Sequence, residues 1–312
     1  MCPESVAVTG ELARVRRLPG RSLRPYLGRL RRGPGDPTHR RVGATWFRST
    51  LTPVGPALLR LDEGPELRAE AWGAGAEWVL DQLPDFLGDH DDPSEFRPDH
   101  PLLREAQRRA PGLRVGRTQL VWEAFAPAVI EQKVTGNEAY AGFRRLVRKF
   151  GEPAPGPAWV EGHPAHGMVC PPAPAGWARI PSWTWLKAGI EPARSRTIVA
   201  AAGRAGALER TLRAPDEADR RLQSLPGVGV WTSAEVRQRA HGDPDAWSDG
   251  DYHIPGVITL ALVGEKLDND AAREVLEPYR GHRYRVQQLV GVMGIWPERH
   301  GPRRTLPTHF PR

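Results

Sequence analysis

Apolar and polar residues follow two different patterns in this chain, and the change falls near residue 100. Before it, short segments alternate or carry β-favouring residues, and glycine or proline separates them. Strands are therefore predicted over residues 44–51, 57–61 and 67–72, and a short helix over residues 78–83. Residues 11–48 are rich in Arg, Gly and Pro and show little helical periodicity. The pattern predicts a small antiparallel sheet, followed by an acidic linker or surface loop over residues 85–99.

From residue 100 onward, apolar residues recur at helical spacing. The predicted helices cover residues 101–110, 119–132, 137–150, 183–188, 192–205, 217–225, 233–240, 254–263, 271–276 and 283–295. The Pro/Ala/Gly-rich stretch 152–182 is predicted to be a long loop. The expected fold class is α+β, with an N-terminal β-containing domain over residues 1–99 and a helical domain over residues 100–312.

The composition is that of a globular protein, with 39% hydrophobic and 26% charged residues among 312. No apolar run approaches the roughly 18 residues of a membrane span, and the N-terminus lacks the hydrophobic core of a signal peptide. The two cysteines, Cys2 and Cys170, are too few for a disulfide scaffold or an iron–sulfur cluster. We expect a soluble protein of a reducing cytosol.

Basic residues outnumber acidic ones by 44 to 37, which gives a net charge of +7. Such an excess is compatible with binding a polyanion such as nucleic acid. The lysines are Lys133, Lys149, Lys187 and Lys266. With so few amines, Schiff-base chemistry has few candidate residues.

One group of potential metal ligands falls in the Pro/Ala/Gly-rich stretch: Glu161, His163, His166 and Cys170. His and Cys side chains bind zinc, but this spacing matches no zinc motif. A plain surface loop is the favoured interpretation, and no metal site is predicted. The acidic stretch 81–99 is likewise expected to be a solvated linker.

The most informative motif is Leu-Pro-Gly-Val-Gly over residues 225–229, between two predicted helices. Two glycines around an apolar residue are typical of a tight hairpin, because glycine adopts positive φ and lets the backbone approach a ligand. The N–H groups that open the second helix suit a phosphate oxygen, and Val228 is expected to pack inward. A helix–loop–helix corner without a ligand gives the same bare pattern. The ligand-binding interpretation is favoured by Trp231 and by Asp251, which follows it by 20 residues after a polar loop.

In this segment the sequence resembles the helix-hairpin-helix DNA glycosylase superfamily, and within it the 3-methyladenine DNA glycosylase II type. Residues 225–229, Trp231 and Asp251 match the family pattern. Residues 128–134 resemble the first core helix of that type and its turn, and residues 277–296 resemble its closing helix. The resemblance implies that the helical domain is a helix-hairpin-helix glycosylase domain, preceded by a β-containing domain as in that family.

The resemblance implies a monofunctional DNA glycosylase of base excision repair. Such an enzyme hydrolyses the N-glycosidic bond of damaged bases in double-stranded DNA, and alkylated bases are the favoured substrates. No metal, redox cofactor or iron–sulfur cluster is implied, although hairpin carbonyls can hold a monovalent cation. Family members that also cleave the backbone have a lysine where Trp231 stands, so no lyase activity is expected. We expect a bacterial, cytoplasmic monomer that associates with the nucleoid and not with a membrane.

Asp251 is the predicted catalytic residue, since a carboxylate can stabilise the positive charge that develops on the sugar and activate water. A helix N-cap is the structural alternative. Asp249 is the second choice, and a loop aspartate is its simpler interpretation. A flipped base needs a flat aromatic pocket, for which Trp231, Trp296 and Tyr252 are candidates. Core packing is the alternative for each of the three.

DNA affinity is expected to come mainly from phosphate contacts. The predicted DNA-binding residues are Gly227, Val228, Gly229, Gln132, Lys133, Arg237, His253 and Arg280. An ordinary solvated surface role is the alternative for the charged ones. Two residues depart from the pattern of the type. Lys133 stands where an apolar wedge residue is expected, and Glu235 stands where an aromatic pocket residue is expected.

Two other functions stay open. A non-catalytic helix-hairpin-helix DNA-binding protein would show salt-sensitive DNA binding that Asp251→Asn leaves intact, and no base release. An oxidised-purine glycosylase with lyase activity would form a covalent DNA adduct that borohydride traps. Trp231 at the place of the lysine argues against the latter.

Overall fold

The computed structural model describes residues 12–296, which fall into two compact units. Of these residues, the first unit combines those up to Pro84 with Lys133–Gly203, and the second combines Asp85–Gln132 with those from Arg204 onward. An antiparallel sheet and many helices are present, so the α+β class is confirmed. These boundaries differ from those of the predicted domains, 1–99 and 100–312. Residues 133–203 pack in the same unit as the sheet, and residues 85–99, predicted as a linker, belong to the second unit, where Phe96 is buried in the core.

The first unit contains a five-stranded antiparallel sheet with the strand order β1-β5-β4-β3-β2. The strands are β1 (Leu12–Pro19), β2 (His39–Val42), β3 (Thr45–Thr52), β4 (Gly55–Asp62) and β5 (Glu66–Trp72). Leu58 and Leu59 of β4 are adjacent and both buried, so both faces of the sheet are covered. The three predicted strands are confirmed as β3, β4 and β5. The other two lie in or beside the Arg-rich segment, for which the pattern predicts no strand.

The helices of the described residues follow in chain order. They are α1 (Arg24–Leu27), α2 (Ala76–Asp81), α3 (Leu83–Phe86), α4 (Pro101–Arg109), α5 (Val121–Ile130), α6 (Gly136–Phe150), α7 (Pro174–Ala178), α8 (Ser182–Lys187), α9 (Pro192–Ala202), α10 (Ala205–Glu209), α11 (Pro215–Gln223), α12 (Val230–Val236), α13 (Ile254–Val263), α14 (Asn269–Leu276) and α15 (Arg283–Met293). A π-helical turn, Arg237–His241, continues α12. None of these helices is long and apolar enough to cross a membrane. Each predicted helix beyond residue 100 corresponds to a helix here.

A cluster of buried side chains shows why residues 133–203 join the sheet. Phe47 and Leu58 of the sheet pack against Ala158, Met168 and Cys170 from the Pro/Ala/Gly-rich stretch. That stretch also contains a small sheet of two strands, β6 (Glu152–Pro153) and β7 (Val169–Cys170). Periodicity predicts that a segment is helical, but it does not predict which core the apolar face of the helix joins.

The second unit is built around α4, α13, α14 and α15. Leu103, Ile258, Leu276 and Val286 are fully buried in its core. In the same unit, α11 and α12 form a helical hairpin. Residues 242–253 connect the π-helical turn to α13. We call this segment the aspartate loop because it contains Asp249 and Asp251.

Candidate functional site

The hairpin, residues 225–229, joins α11 to α12. Gly227 has a φ of +83°, a left-handed conformation that favours glycine. Gly229 is extended, with φ −106° and ψ −175°, so the expected positive φ is confirmed for Gly227 and wrong for Gly229. Val228 packs inward as predicted and is 7% exposed. Its N–H donates to the Leu225 carbonyl at 3.1 Å and so closes the turn, and DNA binding by Val228 stays a prediction.

Gln132 fixes the hairpin from the end of α5. Its Nε2 donates to the Gly227 carbonyl at 2.9 Å and to Thr232 Oγ1 at 2.8 Å. The sequence predicts a DNA-binding role for Gln132. Its side-chain amide contacts the hairpin itself, so it sets the position of the backbone that is predicted to meet a phosphate.

The carboxylate of Asp251 accepts three hydrogen bonds. Oδ2 accepts from Trp231 Nε1 at 3.0 Å. Oδ1 accepts from the backbone N–H groups of His253 at 2.7 Å and of Ile254 at 3.0 Å. The two backbone bonds satisfy N–H groups at the start of α13. The N-cap residue of that helix is His253, so Asp251 lies two residues before the N-cap position that is its structural alternative. The bonds hold the carboxylate in a fixed geometry, which is compatible with catalysis.

Asp249, the second choice for catalysis, faces α14. Its carboxylate pairs with the Arg273 guanidinium at 2.8 Å and accepts from Asn269 Nδ2 at 2.9 Å. Asn269 Oδ1 accepts in turn from the Gly250 N–H at 2.8 Å. Asp249 therefore anchors the aspartate loop to α14, whereas Asp251 contacts the helix that follows the hairpin.

The three aromatic candidates differ in their surroundings. Trp231 is half-buried and contacts Asp251 through its indole N–H. Tyr252 is 90% exposed, and its ring meets the edge of the exposed His253 ring at a centroid distance of 4.8 Å. Trp296 is 60% exposed. Core packing is thus not the role of Tyr252 or Trp296, and their place in a base pocket stays a prediction.

The cationic side chains predicted to bind DNA also differ. Arg237 is half-buried and pairs with Asp243 at 2.5 Å and with Asp219 at 3.2 Å. Arg280 is exposed and forms an ion pair within its own helical turn. Lys133 belongs to the first unit, where it is exposed and has a φ of +54°. The guanidinium of Arg237 thus links α11 to the π-helical turn. DNA binding by Arg237, Arg280 and Lys133 stays a prediction.

Glu235 and Ser248 form a buried polar contact that sequence reasoning did not identify. Glu235 is 7% exposed, its Oε1 accepts from Ser248 Oγ at 2.8 Å, and its Oε2 accepts from Arg239 Nη1 at 2.6 Å. Burial lowers the pKa of Arg239, but the negative charges of Glu235 and Glu131, with Tyr284 and the hydrogen bond to Glu235, together outweigh this effect and raise the pKa above its usual value. One signal in the sequence could have indicated this buried polar contact. Glu235 and Gln238 are polar residues three positions apart, so they share the inward face of one helix.

The four potential metal ligands of the Pro/Ala/Gly-rich stretch differ in burial: Cys170 is buried and His163 is half-buried, whereas Glu161 and His166 are exposed. Cys170 is buried, with Sγ 3.7 Å from the Ala57 carbonyl. His163 Nδ1 accepts from the Ala165 N–H at 3.0 Å, and burial lowers the pKa of this histidine. Among residues 12–296, no three His, Cys, Asp or Glu side chains form a group that could hold a metal ion.

No protein-family model matches the chain. Among curated proteins it is similar to a probable bifunctional transcriptional activator/DNA repair enzyme AlkA of Mycobacterium tuberculosis, with 28% identity over 258 residues. The match covers 80% of this chain and 43% of the relative. The chain therefore spans less than half the length of that protein.

Solved structures show a likeness in fold. A 3-methyladenine DNA-glycosylase from Archaeoglobus fulgidus has a TM-score of 0.69 at 19% identity, over 89% of this chain and 97% of the other. An 8-oxoguanine glycosylase/lyase of Clostridium acetobutylicum bound to double-stranded DNA has a TM-score of 0.65 at 12% identity, over 88% and 91%. The fold of this chain is thus shared with these two DNA glycosylases. Together with the curated relative, these structures confirm the resemblance to helix-hairpin-helix DNA glycosylases and to the 3-methyladenine glycosylase type.

Proposed function

We propose that this protein is a monofunctional DNA glycosylase that hydrolyses the N-glycosidic bond of alkylated bases in double-stranded DNA, the first step of base excision repair. The observation that carries the proposal is the hydrogen bond from Trp231 to Asp251. It joins the helix that follows the hairpin to the aspartate loop. This supports a site in which the hairpin holds the DNA backbone, Trp231 contacts the base and Asp251 faces the sugar.

In the proposed reaction, the bond between the sugar C1′ and the base nitrogen breaks, and positive charge develops on the sugar. The Asp251 carboxylate stabilises this charge and accepts a proton from the water that adds to C1′. Each carboxylate oxygen has two lone pairs. Because Oδ2 accepts one hydrogen bond and Oδ1 accepts two, one acceptor position remains on Oδ2 for this water.

The target base must first leave the duplex. Trp231 offers an aromatic face on which the base stacks, and a cationic alkylated base gains cation–π attraction there. The N–H groups of Gly227 and Gly229 bind a phosphate. Hairpin carbonyls are candidate ligands for a monovalent cation, and one of them, that of Gly227, already accepts a bond from Gln132.

We expect no lyase step, because Trp231 has no amine with which to attack the sugar. In the second unit the sequence contains one lysine, Lys266. The side chain of Lys266 lies along Gly256 of α13, where it would block an added Cβ. We expect Trp231→Lys to supply the missing amine at this site, and the wild-type chain to release base only.

The relatives favour alkylated bases as the substrate class. The Mycobacterium relative is described as a DNA repair enzyme, and the Archaeoglobus structure is a 3-methyladenine DNA-glycosylase. The Clostridium structure is an 8-oxoguanine glycosylase/lyase with a similar TM-score. An oxidised-purine glycosylase is accordingly the second candidate.

The test is base release from alkylated duplex DNA, read as free base and as alkali-labile abasic sites. Asp251→Asn is compared with wild type, and Asp249→Asn serves as the matched control in the same loop. We expect Asp251→Asn to reduce the rate by at least about 10²-fold, the effect of a positioned acid–base group, and Asp249→Asn by less than about 10-fold.

Two other results would redirect the assignment. If wild type and variants bind DNA but release no alkylated, deaminated or oxidised base, the chain is a non-catalytic DNA-binding protein. If wild type releases 8-oxoguanine and borohydride traps a covalent DNA adduct, the oxidised-purine glycosylase/lyase replaces the proposal.

A further inference from the structure

Ser248 lies in the aspartate loop, three residues before Asp251, and is 2% exposed. Its N–H donates to Gln287 Oε1 at 2.9 Å, and its carbonyl accepts from the Asp251 N–H at 3.1 Å. Its hydroxyl donates to Glu235 Oε1 at 2.8 Å and accepts from Gln238 Nε2 and Gln287 Nε2, each at 3.0 Å. One residue thus connects α12, the π-helical turn and α15 to the backbone of Asp251.

The partners of Ser248 are themselves fixed. Glu235 is held on its other oxygen by Arg239, and Gln238 Nε2 also donates to the Ala246 carbonyl at 2.7 Å. A buried carboxylate that loses a donor pays a desolvation cost. The Glu235 carboxylate therefore favours the one loop conformation in which the Ser248 hydroxyl reaches it.

The opposite side of the loop is tied to α14 through Asp249 and Gly250, as described above. Asp251 therefore follows a segment whose backbone is held on both sides. Such support matters for catalysis, because a reacting group must be held within about 0.5 Å of its productive position. A misplacement of about 1 Å can reduce the rate about 10²-fold.

We propose that Ser248 is a positioning residue, whose hydroxyl, held by Glu235, fixes the backbone at Asp251 and so the place of the Asp251 carboxylate beside Trp231. This inference rests on the proposed function, since the position of the carboxylate matters only if it acts on the sugar. A merely structural serine affects folding stability, whereas a positioning residue also affects the rate of the chemical step in folded protein.

The experiment compares the full chain with Ser248→Ala, Ser248→Thr and Ser49→Ala. Ser49 is a matched control: it is fully buried in the first unit, and its hydroxyl donates to the Val169 carbonyl at 2.8 Å. The single-turnover rate of base release at saturating protein, the Kd for the same alkylated duplex, and the Tm are measured for each.

We expect Ser248→Ala to reduce the single-turnover rate about 10- to 100-fold while the Kd stays within about 2-fold, because the carboxylate moves but the DNA contacts do not. Ser49→Ala is expected to lower the Tm and to keep the rate within about 2-fold of wild type. Ser248→Thr retains the hydroxyl and is expected to recover most of the rate.

A Ser248→Ala rate equal to that of wild type, or a rise in Kd that accounts for the whole loss, would overturn the inference. If Ser248→Ala does not fold, Gln287→Met is measured instead, because it removes two bonds to Ser248 from a half-buried position. A rate loss of about 5-fold or more is then expected, and an unchanged rate overturns the inference. A wild type that releases no base overturns the proposed function itself, which distinguishes the two failures.

Discussion

The indole N–H of Trp231 donates to Oδ2 of Asp251 at 3.0 Å, between residues 20 positions apart in the sequence. Trp231 is the second residue of α12, directly after the hairpin, and Asp251 precedes α13. The bond joins the element predicted to hold DNA to the predicted catalytic carboxylate. Trp231 thus contributes a hydrogen-bond donor in addition to the aromatic face that the sequence predicts.

Trp231→Phe separates these two contributions, because it keeps an aromatic face and removes the donor. We expect the single-turnover rate of base release to fall about 10-fold, the equivalent of one hydrogen bond to a charged group, with little change in the Kd for DNA. Trp183→Phe in the first unit, at a position 63% exposed, is the control and is expected to behave as wild type. A full rate in Trp231→Phe together with a lost rate in Trp231→Ala would assign stacking alone to this residue.

The two hairpin glycines are expected to respond differently to a methyl group. Gly227→Ala places a Cβ on a residue with φ +83°, which costs about 1–2 kcal/mol of folding free energy. Gly229 is extended, and an added Cβ there has no atom within 4 Å, so Gly229→Ala is expected to change stability by less than about 0.5 kcal/mol. Urea denaturation of both variants checks this difference. Equal losses would contradict the hairpin geometry.

Gln132 is expected to support DNA binding through the hairpin. Gln132→Ala removes the bonds to the Gly227 carbonyl and to Thr232, so the hairpin backbone loses its support at the point predicted to meet a phosphate. We expect the Kd for duplex DNA to rise about 5- to 10-fold, for a loss of roughly 1 kcal/mol, and the rate at saturating protein to stay near that of wild type. Fluorescence anisotropy measures the Kd. The control is Gln223→Ala, because the wild-type Gln223 amide contacts Asp219 within α11. An equal rise in the Kd of Gln223→Ala would show that the effect is not specific to the hairpin contact.

The fold was predictable where the pattern is local. Alternation predicts β3 to β5, and helical spacing predicts the helices beyond residue 100, because each depends on residues a few positions apart. The division into units was not predictable in this way. Whether the segment 133–203 packs with the sheet or with α4 and α13 depends on contacts such as Phe47 to Met168, which no local pattern contains.

The site shows the same limit. The motif over residues 225–229, with Trp231 and Asp251, singles out residues that the structure joins by a hydrogen bond. Ser248 carries no such signal, because a serine in a polar loop is ordinary until its partners on α12 and α15 are known. The sequence predicts that Gln132 contacts DNA. Its contact with the Gly227 carbonyl was not predictable, because it depends on the position of α5 relative to the hairpin.

His241, at the end of the π-helical turn, gives folding stability a pH dependence. Its Nε2 lies 2.9 Å from Thr211 Oγ1, and the Thr211 hydroxyl donates to the Leu208 carbonyl. The Thr211 oxygen therefore accepts from the ring, which carries its hydrogen on Nε2 in the neutral form. Burial lowers the pKa of His241 from 6.5 to about 4.

Between pH 6.5 and 4 the unfolded chain protonates this histidine, whereas the folded protein keeps it neutral. The unfolded state binds more protons, so the free energy of unfolding falls as the pH falls through this window, by on the order of 3 kcal/mol from this residue. His241→Gln is expected to make the plot of unfolding free energy against pH shallower there, while His166→Gln, at an exposed position, leaves the slope unchanged. Urea denaturation at half-unit pH intervals measures both slopes. A wild-type slope in His241→Gln would mean that the ring is protonated in the folded protein, and that burial does not hold it neutral.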